Sequence, residues 1–211
     1  MYCNLNYNLA GSILEKVTGI RFDKYIQQQI LVPLGLYGGY NVNTLDSNLI
    51  AKIYEFKRDS AKFINSPSAY APRTEEINNY TMGRSTPIFS PTGGMKISAH
   101  DLAEYMIMHS QLGKHKGKRI IPKNLSKQMQ AIISEEENYG MALETSTQLI
   151  PGKTMIGHTG VAYGLYSIMF FEPKEKIGFV VISNGCDTKT INGINGVLHK
   201  TVNILYEHII Q

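Results

Sequence analysis

The chain has 211 residues, 43% of them hydrophobic and 18% charged, which excludes the low-hydrophobicity, high-charge composition of disordered proteins. Its 21 Lys and Arg against 17 Asp and Glu give a net charge of +4, too small a surplus to indicate a nucleic-acid-binding surface. No apolar run approaches the roughly 18 residues of a membrane-spanning helix, and two cysteines are too few for a disulfide framework. The sequence therefore predicts a globular protein.

The segment that follows the amino terminus predicts a helix. Leu9, Ile13 and Val17 lie four residues apart, and this spacing gives one apolar face of a helix. Gly19 is expected to end that helix, because glycine readily adopts the left-handed backbone conformation that follows a helix. The tripeptide Tyr2-Cys3-Asn4 places a phenol, a thiol and an amide directly before the helix.

A second helix and a long irregular segment come next. Residues 22–31 carry an apolar stripe, and Pro33 is expected to end this helix because its ring interrupts the backbone hydrogen bonds. Residues 41–90 show weak periodicity and several prolines. This composition predicts a long loop with one short strand over residues 50–56.

The middle of the chain predicts two further helices with a basic segment between them. Ser98 is expected to cap the first of these helices, since its hydroxyl can accept from a free backbone N–H, and Gly113 should end it. A shorter helix is predicted over residues 122–134, with Pro122 in its first turn. We interpret the basic cluster between them as a solvated loop, formed by Lys114, His115, Lys116, Lys118 and Arg119.

The hydrophobic period changes from helical to alternating after residue 137. Four strands are predicted, over residues 139–145, 154–159, 165–171 and 177–183. Residues 172–176 predict a hairpin turn between the last two strands, and the apolar spacing over residues 190–210 predicts a terminal helix. Helices that precede an antiparallel sheet closed by one terminal helix define the α+β class.

Three motifs, in this order along the chain, resemble those of one protein family. They are Tyr2-Cys3-Asn4 before the first helix, residues 90–95 with the pair Gly93-Gly94, and residues 157–160 with the sequence Gly-His-Thr-Gly. Each motif taken singly is explained by a helix cap, a turn or a strand bulge. Together they resemble the serine beta-lactamase and penicillin-binding-protein family, and most closely its class C-like branch of D-alanyl-D-alanine peptidases and esterases.

The resemblance implies a beta-lactamase/transpeptidase-like α+β fold. A mainly helical and loop lobe would occupy residues 1–138, and an antiparallel sheet with the terminal helix would occupy residues 139–211. The chain would be the carboxyl-terminal portion of a single domain, incomplete at its amino terminus. The strand over residues 177–183 would then lack a neighbour, and such an edge predicts a second copy, a swapped strand or a complementing amino-terminal segment as partner.

The resemblance assigns catalytic roles to two residues and a binding role to a third. Tyr2 matches the family's general base or proton shuttle, which stands beside the nucleophilic serine. His158 matches a Lys or His that positions the substrate carboxylate and tunes that tyrosine. Asn4 matches the residue that hydrogen-bonds the substrate amide.

The strand that carries His158 matches the family's substrate-binding edge. Thr159 and Gly160 would lie along the acyl group of the substrate. A backbone N–H near Ala162 or Val161 would complete the oxyanion hole. No cofactor and no metal are expected, because the histidines are scattered and no metal-binding or phosphate-binding motif is present.

The family's nucleophile motif is missing from the sequence. The nucleophile is the serine of a Ser-x-x-Lys motif, and no serine in this chain is followed by lysine three residues later. We therefore expect no acyl-enzyme from this chain by itself. Cys3 is a poor substitute because it matches a variable position that points away from the family's pocket.

Three hypotheses about function follow. In the first, the chain is the carboxyl-terminal part of a serine hydrolase that cleaves beta-lactams, D-alanyl peptides or esters through an acyl-enzyme and is inactive alone. In the second, it is a non-catalytic relative that binds peptidoglycan-like peptides or beta-lactams. In the third, it is a truncated product without a role. The family suggests an extracytoplasmic location, but residues 1–4 show no signal-peptide pattern, so the compartment stays unknown.

Overall fold

A computed structural model describes residues 3–210, and Tyr2 therefore lies outside the described residues. The helices are α1 (Asn4–Thr18), α2 (Phe22–Ile26), α3 (Val32–Leu34), α4 (Thr74–Asn78), α5 (Ala99–Ser110), α6 (Lys123–Gln130) and α7 (Gly196–Leu205). A π-helical turn, Gln27–Leu31, joins α2 to α3, and another, Tyr206–Ile210, extends α7. Short 3-10 turns lie at Val42–Thr44, Ser47–Leu49, Pro67–Ala69 and Thr86–Phe89.

The strands form one four-stranded sheet and several two-stranded ribbons. The antiparallel sheet has the order β10-β9-β8-β7 and is built from β7 (Glu144–Ser146), β8 (Met155–Ala162), β9 (Leu165–Glu172) and β10 (Ile177–Ser183). The ribbons are β1 (Gly38–Gly39) with β4 (Lys96–Ile97), β2 (Tyr54–Lys57) with β3 (Lys62–Asn65), β5 (Lys114–His115) with β6 (Lys118–Arg119), and β11 (Thr190–Ile191) with β12 (Ile194–Asn195). The structure thus has the predicted α+β class.

The sheet lies between two helices. Phe170 of β9 is fully buried in a cluster with Leu198 and Val202 of α7. The next residue, Phe171, is buried with Met106 of α5 instead. Because successive strand residues point to opposite faces of a sheet, α7 covers one face and α5 covers the other.

Several predicted elements are confirmed. The Ser98 hydroxyl accepts from the Asp101 backbone N–H at 3.0 Å and caps α5. The strand predicted over residues 177–183 is β10 with the same bounds, and it lies at one end of the sheet. The predicted turn over residues 172–176 joins β9 to β10.

Pro33 does not end the second helix, contrary to the prediction. The π-helical turn Gln27–Leu31 precedes it, and Pro33 is the second residue of α3, with no break in the helical backbone on either side. The helical path therefore continues to Leu34 and ends at Gly35, which has a left-handed φ of 71°.

The strand predicted over residues 139–145 is shortened for a backbone reason. Asn138 and Ala142 adopt positive φ values of 51° and 63°, which interrupt the extended conformation. Tyr139 keeps only isolated bridges to Ser134 and Glu144, and the regular strand begins at Glu144.

The predicted terminal helix begins later than residue 190. Residues 190–195 form the β11–β12 ribbon, with Asn192 and Gly193 at its left-handed turn. Asn195 then caps α7, because its side-chain oxygen accepts from the backbone N–H groups of Val197 and Leu198.

The basic cluster is a β-hairpin rather than a loop. Lys116 and Gly117 at its turn both have positive φ, as a tight hairpin requires. The lysines of the hairpin are exposed, but the ring of His115 is buried and contacts the Glu104 carboxylate of α5. The interpretation as a solvated loop is therefore wrong for His115.

Helix α1 is formed as predicted, but its apolar stripe lies on the surface of the described structure. Leu5, Leu9, Ile13 and Val17 are 69%, 56%, 53% and 80% exposed. We call these four residues the α1 stripe. The buried residues of α1, Gly11 and Glu15, lie elsewhere on the helix.

Glu15 is the polar centre of this lobe and is fully buried. Its carboxylate accepts from the backbone N–H groups of Phe22 at 2.7 Å and Gly83 at 2.6 Å. It also accepts from the hydroxyls of Tyr80 at 2.5 Å and Thr86 at 2.7 Å. Burial alone would raise the pKa of Glu15, but these four hydrogen bonds to the charged form outweigh it and lower the pKa.

We predict that Glu15→Gln lowers the free energy of unfolding at pH 7 by about 2–3 kcal/mol, because hydrogen bonds to a charged group are lost and a buried donor is added. The lowered folded pKa means that the carboxylate's contribution is present above the unfolded pKa of about 4.3. It is lost as the pH falls through the folded pKa. In urea unfolding, the free energy of unfolding of the variant should therefore approach that of the wild type as the pH is lowered.

Glu207→Gln is the matched control for this experiment, since Glu207 is exposed and carries the same charge. It should change stability by no more than about 0.5 kcal/mol. If Glu15→Gln lowers the free energy of unfolding as much in acid as at pH 7, the ionised Glu15 carboxylate does not have the stabilising role given to it here.

Candidate functional site

A chain of three side chains joins α1 to the sheet. The Tyr7 and Tyr139 hydroxyls are 2.7 Å apart, and the Tyr139 hydroxyl is 2.9 Å from Nε2 of His158 on β8. The Nδ1 atom of His158 contacts the carbonyl oxygen of Thr159, so it carries the proton and donates. In the neutral ring Nε2 therefore accepts from the Tyr139 hydroxyl, and both ring nitrogens have protein partners.

The hydrogen-bonded series Tyr7–Tyr139–His158 brings the predicted helix entry and the predicted strand motif together. Asn4 is exposed at the start of α1, one helical turn before Tyr7. Residues three apart on a helix share a face, so Asn4 lies on the side of α1 that approaches His158. Sequence reasoning did not assign a site role to Tyr7, although its spacing from Asn4 was a usable signal.

The outer edge of β8 is only partly covered. β7 pairs with β8 through residues 155–157, and in the described residues no strand continues this pairing beyond Gly157. The predicted site residues Thr159, Gly160 and Ala162 follow along β8 and are all half-buried. The structure therefore places them on one strand, directly after His158.

Glu144 stands where β7 ends, and sequence reasoning missed it. Its Cα is paired with that of Gly157, and Glu144 and Thr159 line the same cavity. Burial raises the pKa of Glu144, while the nearby His158 and the Thr159 backbone N–H act in the opposite direction without reversing the shift. No sequence motif marks this residue, because its position depends on the register of β7 against β8.

A cavity of about 490 Å³ opens beside this edge. Its lining includes Glu144, Thr145, Thr154, Thr159, Asn138 and Asn192. Most of these side chains are neutral hydroxyls or amides. The cavity can therefore hold a polar organic ligand of small-molecule size.

The two cysteines lie in different environments. Cys3 is exposed immediately before α1, whereas Cys186 is buried, and burial raises the pKa of its thiol. Among residues 3–210, no three His, Cys, Asp or Glu side chains are grouped so that they could hold a metal ion. Within that same range, no helix has both the length and the apolar character needed to cross a membrane.

Comparison with known proteins decides the family. Residues 1–194 match the family model described as beta-lactamase. The chain belongs to the beta-lactamase family. This membership agrees with the resemblance carried by the three sequence motifs. A search of curated proteins gave no match.

Solved structures with this fold include two amide-hydrolysing enzymes and a penicillin-binding protein. The chain is 19% identical to a D-amino acid amidase from Ochrobactrum anthropi SV3 complexed with L-phenylalanine, with a TM-score of 0.72 over 100% of this chain and 56% of that one. A D-stereospecific amidohydrolase from Streptomyces sp. is 20% identical, with a TM-score of 0.68 over 100% and 55% of the two chains. A penicillin binding protein from Bacillus halodurans is 15% identical, with a TM-score of 0.66 over 95% and 54%.

These similarities establish the beta-lactamase/transpeptidase-like fold. The chain spans slightly more than half the length of each of the three neighbours. The activities named for those proteins therefore do not transfer directly to this member of the beta-lactamase family.

Two glycines of β8 provide a test of this strand's packing. A Cβ at Gly157 would lie 1.9 Å from the Met169 backbone oxygen, whereas a Cβ at Gly160 would meet chiefly the rotatable Ser167 hydroxyl, at 2.4 Å. Gly157→Ala should destabilise the protein by about 1–3 kcal/mol or more, because backbone must move. Gly160→Ala should lower the free energy of unfolding by less, because the Ser167 hydroxyl can rotate away from the new methyl group. Urea unfolding of both variants measures the free energy that each loses. Equal losses in Gly157→Ala and Gly160→Ala would contradict the prediction.

Proposed function

We propose that this chain supplies the carboxyl-terminal part of a serine hydrolase site that acts through an acyl-enzyme. Beta-lactams, D-alanyl peptides and esters are the candidate substrates. The observation that carries the proposal is the Tyr7–Tyr139–His158 chain, which fixes the start of α1 beside the β8 edge. It supports a single site that contains both the helix-entry motif and the strand motif.

Each proposed role uses the chemistry of its group. Tyr2 would accept the proton of a serine hydroxyl as that oxygen attacks the substrate carbonyl, and would return it to the leaving group. Asn4 would hydrogen-bond the substrate amide. A backbone N–H at Val161 or Ala162 would stabilise the oxyanion as the tetrahedral intermediate forms.

His158 would act as a positioning residue. Its Nε2 lies 2.9 Å from the Tyr139 hydroxyl, and its Nδ1 contacts the carbonyl oxygen of Thr159. These contacts fix the ring and the local course of β8. Thr159 and Gly160 would then present the strand edge to the acyl part of the substrate.

We further propose that turnover requires a segment with a Ser-x-x-Lys motif, which these 211 residues do not contain. Without a nucleophile the remaining groups cannot supply the roughly 8 kcal/mol or more of barrier reduction that enzymes achieve. The chain would be the carboxyl-terminal portion of one domain, with the complementing segment packed on the α1 stripe and along β10. The exposure of that stripe and the position of β10 at the end of the sheet support this arrangement.

The catalytic proposal is tested by covalent labelling and turnover. A fluorescent penicillin should label no side chain of the purified 211-residue protein, and nitrocefin and p-nitrophenyl esters should not be hydrolysed. Adding a segment with Ser-x-x-Lys, from the preceding coding sequence or from a solved neighbour, should produce hydrolysis. In that complex Tyr2→Phe should reduce the rate by roughly 100-fold or more.

Tyr37→Phe is the matched control, because Tyr37 is 48% exposed in a different part of the protein. It should leave the rate of the complemented protein unchanged. Labelling of the 211-residue protein by itself would overturn the proposed inactivity. Full activity of Tyr2→Phe would overturn the role of Tyr2.

A separate prediction concerns the α1 stripe and the edge of β10, on which the complementing segment is proposed to pack. The purified chain should self-associate at micromolar concentration, because the α1 stripe and the β10 edge leave apolar and hydrogen-bonding groups uncovered. Replacing Leu9 and Ile13 together by Glu should reduce the mass measured by light scattering. The control Leu49→Glu changes a residue that is 68% exposed outside the stripe and should have no effect. A clean wild-type monomer would contradict the prediction.

A second candidate function is binding without catalysis. The cavity beside β8 and the open edge of that strand are formed by the described residues themselves. Such a site could hold peptidoglycan-like peptides or beta-lactams without any nucleophile. Saturable binding with no turnover, even after a Ser-x-x-Lys segment is added, would favour this function.

A further inference from the structure

The positive charge of the chain is concentrated in one segment. Residues 114–127 contain six of the 21 Lys and Arg residues and no Asp or Glu, so the other residues carry 15 basic against 17 acidic side chains. The whole net charge of +4 therefore comes from this segment. We call its six basic residues the basic patch, which consists of Lys114, Lys116, Lys118, Arg119, Lys123 and Lys127.

The basic patch is exposed and has little neutralising charge beside it. Its residues lie on the β5–β6 hairpin and on α6, and all six are exposed. The ammonium group of Lys116 is 2.7 Å from the Glu104 carboxylate. The other five form no salt bridge within the part of the chain that the structure describes. The patch therefore presents charge of one sign to the solution.

The hairpin that carries most of the basic patch is held against α5. The ring of His115 is buried and contacts the Glu104 carboxylate. The Arg119 guanidinium donates to the carbonyl oxygens of Leu112 at 2.8 Å and Ile121 at 3.1 Å. Because these contacts fix the hairpin, a partner meets a surface that is already formed, and binding loses little conformational entropy.

Two features of the basic patch are electrostatically unfavourable without a partner. Lys114 and Arg119 lie directly opposite each other in the hairpin, and like charges in this arrangement are destabilising. Lys123 is the first residue of α6, and the first turn of this helix has no acidic side chain. A cation there is repelled by the positive end of the helix dipole. An anionic surface against the patch offsets both repulsions.

The composition of the segment favours a lipid surface over a nucleic acid as the anionic partner. Residues 114–127 include no Phe, Tyr or Trp on which a base would stack. Leu125 lies in the first turn of α6 with Lys123 and is 46% exposed. Aliphatic side chains among basic residues are typical of segments that bind at the surface of a bilayer. Clusters of about four to eight Lys and Arg residues also bind anionic lipid headgroups.

We infer that the basic patch is a docking surface for a phospholipid bilayer with anionic headgroups. The interaction is peripheral, with the cationic side chains against the charged groups of the lipids and Leu125 at the level of the headgroups. No residue of the proposed catalytic site takes part. The inference is therefore independent of the proposed function, since vesicle binding is measured without turnover and hydrolysis is measured without vesicles.

Flotation with lipid vesicles tests the inference, because bound protein rises with the vesicles whereas aggregates sink. The 211-residue protein should float with vesicles made of equal parts of phosphatidylserine and phosphatidylcholine, and not with phosphatidylcholine alone. The neutral vesicles control for binding through the exposed α1 stripe, which does not depend on lipid charge. Raising NaCl from about 0.1 M to about 1 M should release the protein, because the screening length falls from about 10 Å to about 3 Å.

A triple variant of the basic patch should lose most of this binding. Lys114→Gln, Lys118→Gln and Lys123→Gln together remove three exposed charges that form no salt bridge among the described residues. Each lysine near an anionic bilayer contributes roughly fivefold to the partition coefficient, so the combined loss should be roughly 100-fold. Thermal unfolding measures whether the variant is folded, and its exposed positions predict that it is.

The matched control removes three lysines elsewhere and has the same net charge as the patch variant. Lys24, Lys174 and Lys200 are exposed and lie outside the basic patch. Their combined replacement by Gln should leave the partition coefficient within about threefold of the wild-type value, because distant exposed charges are largely screened.

Three results would overturn the inference. Equal losses in the two triple variants would show that only net charge matters, as expected of a patch that merely keeps the protein in solution. Equal flotation with neutral and anionic vesicles, or no flotation with either, would exclude a surface for anionic lipid. Patch-dependent binding of a DNA duplex without binding of anionic vesicles would assign the patch to nucleic acid instead.

Discussion

The buried carboxylate of Glu15 is the interaction on which the arrangement of the helical lobe depends. It joins α1 to the start of α2 and to the segment that contains Gly83 and Thr86. A buried charge is tolerated only when it is well hydrogen-bonded, and here four donors converge on it. Because these contacts fix the direction of α1, they also determine where Tyr7 meets the sheet.

The position of α1 in turn determines the geometry of the site. The hydroxyls of Tyr7 and Tyr139 connect this helix to His158, and the hydrogen bonds at both ring nitrogens fix the orientation of the imidazole. Glu144, at the end of β7, lines the cavity beside the same part of β8. The candidate site is therefore a strand edge with a fixed imidazole ring, next to a polar cavity that Glu144 helps to line.

The sequence by itself determined the elements whose signals are local. The Ser98 cap and the strand Ile177–Ser183 are confirmed because capping and alternation act over a few neighbouring residues. The three motifs identified the family for the same reason. Only the tertiary structure decided that the α1 stripe is exposed and that Glu144 lies in the cavity beside β8. These features depend on strand register and on contacts such as Tyr7 with Tyr139, which are 132 residues apart and leave no local pattern in the chain.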